Sequence, residues 1–370
     1  AISKKPIFLI PGFHSSALFS TITKPELYPQ CPSLPNYFQF FPYNESFLKN
    51  YPECLGILLS SRYDQKSHLV TPLNGIVIEP APFGNVSTFH TYDKIVELFQ
   101  SHGYVLNQTL FGVNYDWTHF TPNDAQFFED LKKQIERITK VNGEKAILFG
   151  HSLGSYFIRL LLNKYADTYW VKRHIDSAVY IAPAYYGCEE GLRRITNGLL
   201  LIEKHPIEPI AYAVRHMPTL YMIFDNPDLT NNRPVFMLND KNVTPSNLTK
   251  YLYDVNIFDD LAMKIYSTVE DVLNEKPVEP PVPSILFYNS EIPTAYYRNA
   301  TVLEPKYANG DGECLSYIHD ELCKRFKKTK CFNFHANDLR LGHKTMIQSK
   351  EILEQISLFI QSRDNTFHEL

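Results

Sequence analysis

The sequence predicts an α/β fold in which a mostly parallel sheet carries helices on both faces. Short apolar runs recur along the chain, helical patterns lie between several of them, and two long stretches interrupt this alternation. With 370 residues, 44% of them hydrophobic, the chain can bury a large core without a metal or a dense set of disulfides.

Five apolar runs are predicted to be buried parallel strands, because each is short, rich in branched or aromatic residues and bounded by turn residues. These runs are residues 6–12, 110–115, 145–150, 177–183 and 284–289.

Two segments show helical spacing of their apolar residues. Residues 121–140 repeat such residues every three or four positions, with Thr121 as the predicted N-cap and Asp124 completing a capping box. Residues 92–103 follow a similar pattern and are expected to end at Gly103.

Two regions interrupt the alternation and are predicted to be insertions above the sheet. Residues 25–80 hold many Pro and Tyr residues and are expected to form a lid and membrane-binding insertion. Residues 187–283 end in a proline-rich linker and are expected to form a cap. The predicted core is therefore residues 1–24, 81–186 and 284–370.

Charge and hydropathy exclude several classes of protein. The formal net charge is -4 and the charged residues are mixed along the chain, so we expect no nucleic-acid partner. No apolar stretch approaches the ~20 residues that span a bilayer.

The chain starts close to its first predicted strand, which suggests a processed N-terminus. The basic run 324–330 suits either a solvated face or an anionic lipid surface.

Six N-x-S/T sequons indicate a secretory route, to the outside of the cell or to a lysosome-like compartment, with glycans on surface loops. Their asparagines are Asn44, Asn85, Asn107, Asn242, Asn247 and Asn299.

Six cysteines contain no C-x-x-C pair or zinc-type spacing, and we expect no metal and no cofactor. Cys31 and Cys54 form the most obvious disulfide, which would contribute about 3 kcal/mol by closing its loop. The pairing of Cys188, Cys314, Cys323 and Cys331 stays open, although Cys323 and Cys331 are near enough for a local bridge.

Residues 149–157, FGHSLGSYF, place Ser152 between an apolar and an amphipathic run. G-H-S-L-G matches the nucleophile elbow, a tight strand-to-helix turn that holds a serine in a strained conformation. Side chains two positions away on either side would collide with neighbours, so Gly150 and Gly154 fill those positions. This context predicts an α/β-hydrolase fold with Ser152 as the nucleophile.

A serine hydroxyl needs a base, and this fold orders its triad as Ser, then Asp or Glu, then His. His343 directly precedes the last helical pattern and is the predicted base. Asp311, between two glycines, is the predicted acid, with Asp320 and Asp338 as rivals.

Other residues are expected to surround the nucleophile. The backbone N–H groups of Phe13 and Leu153 are the predicted oxyanion donors, with Gly12 letting the loop approach closely. His151 is expected to pack or hydrogen-bond beside Ser152, and His14 to line the pocket.

With these residues, the chain resembles the lecithin:cholesterol acyltransferase and lysosomal phospholipase A family nearly end to end. The resemblance is carried by FLIPGFHSS, GVNYDW, GHSLG, the segment ending in APAYYG, TPSNLTKYLYDV, NGDG and the GH before the last helix. A short disulfide-closed lid in that family corresponds to Cys31–Cys54. The chain departs from the family at Thr118, where Arg is usual, at Glu313 and Cys314, where Thr-Val is common, and in lacking a cysteine near residues 284–289.

The resemblance implies a serine phospholipase that cleaves an acyl ester of a glycerophospholipid through an acyl-Ser152 intermediate, with water or a lipid alcohol as acceptor. The expected partner is a phospholipid membrane or lipid-particle surface. Leu34, Tyr37, Phe38, Phe40 and Phe41 suit docking to that surface, or packing onto the protein's own body. The alternatives are an esterase for small soluble esters and a catalytically silent binding protein.

Overall fold

The computed structural model describes residues 4–89, 91–200, 206–230, 233–238, 241–297 and 305–364. Their strands are, in chain order, β1 Ile7–Ile10, β2 Leu18–Ile22, β3 Phe38–Phe41, β4 Ser61–Asp64, β5 Leu69–Pro72, β6 Ile76–Pro80, β7 Leu110–Gly112, β8 Ala146–His151, β9 Ile175–Ile181, β10 Phe236–Leu238, β11 Lys241–Val243, β12 Ser284–Tyr288, β13 Ile292–Tyr297, β14 Pro305–Gly310 and β15 Thr329–Asn333.

The α-helices of the same residues lie between and around these strands. They are α1 Glu45–Asn50, α2 Pro52–Leu59, α3 Asp93–Ser101, α4 Ala125–Asn142, α5 Gly154–Leu160, α6 Thr168–His174, α7 Glu189–Asn197, α8 Glu208–Val214, α9 Pro218–Tyr221, α10 Pro227–Thr230, α11 Leu248–Asp254, α12 Asp260–Tyr266, α13 Glu270–Leu273, α14 Ser316–Arg325 and α15 Lys350–Asp364.

A six-stranded sheet in the order β15-β12-β9-β8-β1-β7 forms the centre of the molecule, and every neighbouring pair in it is parallel. The predicted parallel sheet is therefore confirmed. Its strands come from the ranges predicted for the core. The run 110–115 is a strand only as far as Gly112, and the strand predicted at 177–183 starts earlier, at Ile175.

Strand β15 was missed, because the sequence analysis treated residues 324–330 as one basic run. The run is divided between the end of α14, a turn and the start of β15, which pairs with β12 at the edge of the sheet. Its charges are also partly neutralised, since Lys324 pairs with Glu321 and Arg325 with Asp228.

Alternation along the strands separates two apolar cores, one on each face of the sheet. On one face, Phe8 and Leu148 pack with α4 and α5. On the other, Ile147 and Phe149 pack with residues of α3 and α15, among them Phe99 and Ile356. Helices therefore cover both faces, as an all-parallel sheet requires.

Helix α4 begins later than predicted. Asp124, rather than Thr121, is its N-cap, and the Asp124 carboxylate accepts the N–H of Phe127. The predicted capping box is therefore wrong, because Thr121 is buried in the preceding segment and the helix starts at Ala125. Helix α3 ends one residue before its C-cap, and Gly103 follows with φ +83°, as a left-handed C-terminal glycine does.

The stretch predicted as the lid insertion, residues 25–80, contributes strands β3 and β6 to a small antiparallel sheet, β3-β2-β6, and also holds helices α1 and α2. Strand β2 lies within the range predicted for the core, yet it pairs with two strands of the insertion. Cys31 and Cys54 are joined by a disulfide. Phe40 and Phe41 are buried, whereas Tyr37 is 45% exposed, so the aromatic loop packs partly onto the body and partly faces solvent.

The stretch predicted as the cap, residues 187–283 and called the cap below, holds α7 to α13 and the hairpin β10-β11. Two further disulfides join Cys188 to Cys314 and Cys323 to Cys331, which resolves the pairing left open by the sequence. Among the described residues, no helix is both long and apolar enough to cross a membrane.

Five of the six sequon asparagines fall within the described ranges. Asn85 is half-buried, and the exposed ones are Asn44, Asn107, Asn242 and Asn247. Asn299 lies outside the described residues.

Candidate active site

Ser152 lies in the sharp turn between β8 and α5, with φ +53°. The two flanking glycines are sterically required. A Cβ on Gly154 would lie 2.1 Å from the carbonyl oxygen of Ile10, and one on Gly150 would lie 2.8 Å from the Ser155 backbone. The turn thus has the strained geometry that a nucleophile elbow needs.

The Ser152 hydroxyl faces the predicted base. Its Oγ is 2.7 Å from His343 Nε2. His343 lies between two short 3₁₀ turns, and α15 begins only at Lys350, so the last helix starts later than the sequence suggested. The backbone N–H of His343 donates to the carbonyl oxygen of Asp311, which fixes the turn against the loop after β14.

Asp311, rather than its two rivals, contacts His343. Its Oδ2 is 2.8 Å from His343 Nδ1, and its Oδ1 accepts the N–H groups of Glu313 and Cys314. Asp320 instead accepts the Tyr288 hydroxyl, and Asp338 pairs with Arg340. The structure therefore brings together the serine, acid and histidine that the sequence singled out.

Electrostatics of the site centre on His343. Burial by itself would lower the pKa of His343, but the charge and hydrogen bond of Asp311, followed by the charge of Glu313, raise it to about 9. The pKa of Asp311 is lowered, because the charge and hydrogen bond of His343 outweigh the effect of burial. Asp311 and His343 thus form a buried ion pair when the imidazole is protonated.

A second acidic residue, Glu313, lies near Nε2 of the imidazole. Its Oε2 is 3.9 Å from His343 Nε2, and its Oε1 is 2.6 Å from Lys344 Nζ. Glu313 is one of the positions at which the chain departs from the pattern of the similar family. The sequence marked that departure but gave no sign that the side chain reaches the histidine.

The loop after β1 approaches the serine closely. A Cβ on Gly12 would lie 3.0 Å from Ser152 Cβ, so only glycine fits without displacement. Within the described ranges, the backbone N–H groups of Phe13 and Leu153 donate no hydrogen bond. Phe13 directly follows Gly12, and Leu153 directly follows Ser152, so both N–H groups are adjacent in sequence to the residues in contact.

A cavity of about 260 Å³ opens over the serine. Its walls combine the loop after β1, the histidine turn and the cap, and Leu220 and Ile223 supply apolar surface from the cap. Its charged lining residues are Glu190, Arg194, Glu313 and Lys344. Arg194 pairs with Glu190 at 2.5 Å and lies over the Phe13 ring, 5.6 Å from its centroid. His14 lines the same cavity, with Nε2 3.1 Å from the Tyr43 hydroxyl.

The disulfide between Cys188 and Cys314 ties the start of the cap to the Asp311 loop. Cys314 Sγ is 3.5 Å from His343 Nδ1. Donor atoms of Asp311, Cys314 and His343 lie within 4.8 Å of one another, a spacing that would suit a metal ion. The sulfur is already in a disulfide, however, and the other two residues bond each other, so the cluster is better explained as a fixed acid–histidine pair.

Comparisons with known proteins place the chain in a family. Residues 83–276 match the family described as lecithin:cholesterol acyltransferase. The phosphatidylcholine-sterol acyltransferase of Gallus gallus is 22% identical over 373 residues, covering 94% of this chain and 88% of that protein. The lysosomal phospholipase A and acyltransferase of Canis lupus familiaris is 22% identical over 333 residues, covering 84% and 79%.

A solved structure extends the agreement to the fold. A chain of the Tle4–Tli4 complex superposes with a TM-score of 0.54 at 11% identity, covering 98% of this chain and 99% of that one. At this identity the likeness concerns the fold alone, and it supports the α/β-hydrolase arrangement of sheet and helices.

Proposed function

The chain belongs to the lecithin:cholesterol acyltransferase family, and we propose that it is a serine phospholipase that can also transfer the acyl group. Its substrate would be an acyl ester of a glycerophospholipid, and its acceptor water or a lipid alcohol. One observation carries the proposal: Ser152 Oγ, His343 and Asp311 form a continuous hydrogen-bonded line, with links of 2.7 and 2.8 Å, beneath a cavity.

In the first half of the reaction, neutral His343 accepts the proton of Ser152 while Oγ attacks the ester carbonyl carbon. Negative charge develops on the carbonyl oxygen, and the N–H groups of Phe13 and Leu153 would stabilise it. The ester bond then breaks, His343 returns the proton to the departing glycerol oxygen, and a lysophospholipid leaves. The acyl group stays on Ser152.

In the second half, water or an alcohol takes the place of the departed lysophospholipid. His343 removes its proton as its oxygen attacks the acyl carbon, and the proton returns to Ser152 Oγ when the product leaves. Water gives a free fatty acid and an alcohol gives a new ester. The balance between hydrolysis and transfer depends on how far the cap excludes water, since Leu220 and Ile223 of the cap line the cavity over the serine.

We propose that the enzyme works at a lipid surface reached by the secretory route. Tyr37, directly before β3, is exposed, while Phe41 at the end of β3 packs on His14 beside the cavity, with 4.1 Å between the ring centroids. The lid would therefore place apolar side chains on the membrane near the entrance to the serine. Three disulfides and exposed sequons support passage through an oxidising compartment.

A small soluble ester is the second candidate substrate. The cavity over Ser152, about 260 Å³, is near the lower end of common ligand pockets and suits a short acyl chain without rearrangement. Turnover of one ester as a monomer and in vesicles separates the two candidates. A phospholipase is expected to act much faster on the vesicle-bound form.

The decisive experiment follows acyl transfer directly. Purified protein is incubated with acyl-labelled phosphatidylcholine vesicles, with and without sterol or a long-chain alcohol, and the products are separated. We expect labelled fatty acid, labelled ester when an alcohol is present, and neither with Ser152→Ala. Ser267→Ala, which removes an exposed hydroxyl at the end of α12, away from the cavity, is the matched control and should keep activity. Product formation by Ser152→Ala, or no labelling of wild-type Ser152 by a fluorophosphonate, would overturn the proposal.

A further inference from the structure

A chain of three hydrogen bonds beside Ser152 links the loop after β1 to the turn that carries His343. The backbone N–H of Gly12 donates to the Tyr92 hydroxyl at 2.8 Å. That hydroxyl is 2.6 Å from His151 Nδ1, and His151 Nε2 is 2.8 Å from the carbonyl oxygen of His343. All the side chains involved are buried.

Chemistry fixes the direction of each bond. A carbonyl oxygen can only accept a hydrogen bond. His151 Nε2 therefore carries a hydrogen and donates the bond to the backbone carbonyl of His343. Burial, followed by the charge of His343, lowers the pKa of His151 to about 4, so the ring is neutral and Nδ1 is an acceptor. The Tyr92 hydroxyl, which already accepts from Gly12, therefore donates to Nδ1. The bonds run in one sense from the oxyanion loop to the histidine turn.

The path links two loops between which the described residues form no direct backbone hydrogen bond. At one end, Gly12 immediately precedes Phe13, a proposed oxyanion donor. At the other end, the His343 backbone is held twice, because its N–H donates to Asp311 and its carbonyl accepts from His151. Tyr92 itself is anchored directly before helix α3. The path thus connects the residue before a proposed oxyanion donor with the backbone of the base.

We propose that Tyr92 and His151 are positioning residues that lock the oxyanion loop to the His343 turn, so that donor and base hold one geometry around Ser152. The inference rests on the proposed serine mechanism, but it goes beyond the triad. Neither side chain needs to touch the substrate, since both act through Gly12 and His343. Their loss should therefore impair the chemical step more than substrate binding.

Turnover of a soluble p-nitrophenyl ester and the rate of phosphonylation by a fluorophosphonate test this proposal without a lipid interface. Tyr92→Phe removes the hydroxyl from the path. We expect kcat and the phosphonylation rate to fall about 10- to 100-fold, with KM changed less than about twofold. Tyr185→Phe is the matched control, because the Tyr185 hydroxyl is buried and makes no hydrogen bond among the described residues. It should leave both rates unchanged.

Two further variants distinguish positioning from a loss of packing. His151→Asn is too short to reach the His343 carbonyl, whereas the amide of His151→Gln can reach the Nε2 position, so Gln should recover part of the kcat that Asn loses. Because both residues serve one path, the double variant Tyr92→Phe/His151→Asn should lose no more than the worse single variant. Thermal unfolding identifies any variant that fails to fold.

Three results would overturn the inference. These are unchanged kcat in a folded Tyr92→Phe, equal losses for Asn and Gln at position 151, and multiplying losses in the double variant. Any of them with an active wild-type enzyme leaves the proposed function standing. Activity of Ser152→Ala would instead remove the proposed function itself.

Discussion

His343 lies between two carboxylates that act on it differently. Asp311, behind the ring, accepts from Nδ1 and fixes the orientation of the imidazole. Glu313, beside Nε2, makes no hydrogen bond with the ring, but its charge favours the protonated form. Protonated His343 cannot accept the proton of Ser152. Glu313 therefore works against the base at low pH.

Replacing Glu313 by Gln should extend activity towards lower pH. The charge of Glu313 raises the pKa of His343, so its removal lowers that pKa and leaves more neutral imidazole at each pH below it. Lys344, freed from its partner, acts in the same direction. The measurement is kcat/KM for a soluble ester between pH 5 and pH 10.

The control for this experiment is Glu321→Gln, which removes a carboxylate paired with Lys324 on the far end of α14. This variant should not shift the pH profile of kcat/KM. If the acidic limb of the pH profile is the same for Glu313→Gln and the wild type, Glu313 does not influence His343.

At the scale of the elements, two disulfides close loops of very different length, and only one of them is bonded next to a residue of the triad. Cys188–Cys314 joins α7 to the loop carrying Asp311 and closes 126 residues of chain, whereas Cys323–Cys331 joins α14 to edge strand β15 and closes only 8. A cross-link stabilises mainly by restricting the unfolded chain, and the restriction grows with the length of the closed loop.

Serine substitution of both cysteines in each pair should therefore have unequal effects. We expect the free energy of unfolding to fall by about 5 kcal/mol without Cys188–Cys314 and by about 2.5 kcal/mol without Cys323–Cys331. Only the first variant should also lose ester turnover, because only that disulfide fixes the Asp311 loop. Urea unfolding followed by tryptophan fluorescence measures the stabilities. Equal losses, or full turnover without Cys188–Cys314, would contradict this account.

Elements with a regular pattern were predicted well from the sequence. Strand β8 and the turn that starts α5 were located within one residue, because apolar periodicity and glycine spacing act over a few residues. Edge strand β15 was missed, because its lysines resemble a solvated surface and only pairing with β12 makes them a strand. The start of α4 was misplaced because Thr121 is buried in the folded chain and Asp124 caps the helix instead.

At the scale of the whole molecule, residues far apart in sequence meet at one edge of the sheet. The order Ser, Asp, His and the loop context selected 152, 311 and 343, and the structure brings these side chains together. Tyr92 was not found, because nothing local links the start of a helix to Gly12 or His151. The partner of Cys314 was not found either, because pairing across 126 residues depends on how the cap folds over the sheet.

The proposed docking of the lid predicts that interfacial and soluble activities can be separated. Tyr37 is 45% exposed and Leu34 is half-buried, and both lie on the loop closed by Cys31–Cys54. Each side chain would contribute about 1 kcal/mol by entering the lipid, so Leu34→Ser/Tyr37→Ser should weaken binding to phosphatidylcholine vesicles by about 30-fold.

Turnover of a soluble ester by this double variant should stay unchanged, because neither residue lines the cavity over Ser152. The matched control is Val141→Ser/Tyr169→Ser, which removes one aliphatic and one tyrosine side chain that are 77% and 72% exposed near the ends of α4 and α6. Vesicle sedimentation and ester turnover are measured on both variants. If both bind vesicles as tightly as the wild type, the lid is not the docking surface. If both lose binding equally, the exposed apolar area matters but its position does not, and lipid would then have no defined route from the lid to the serine.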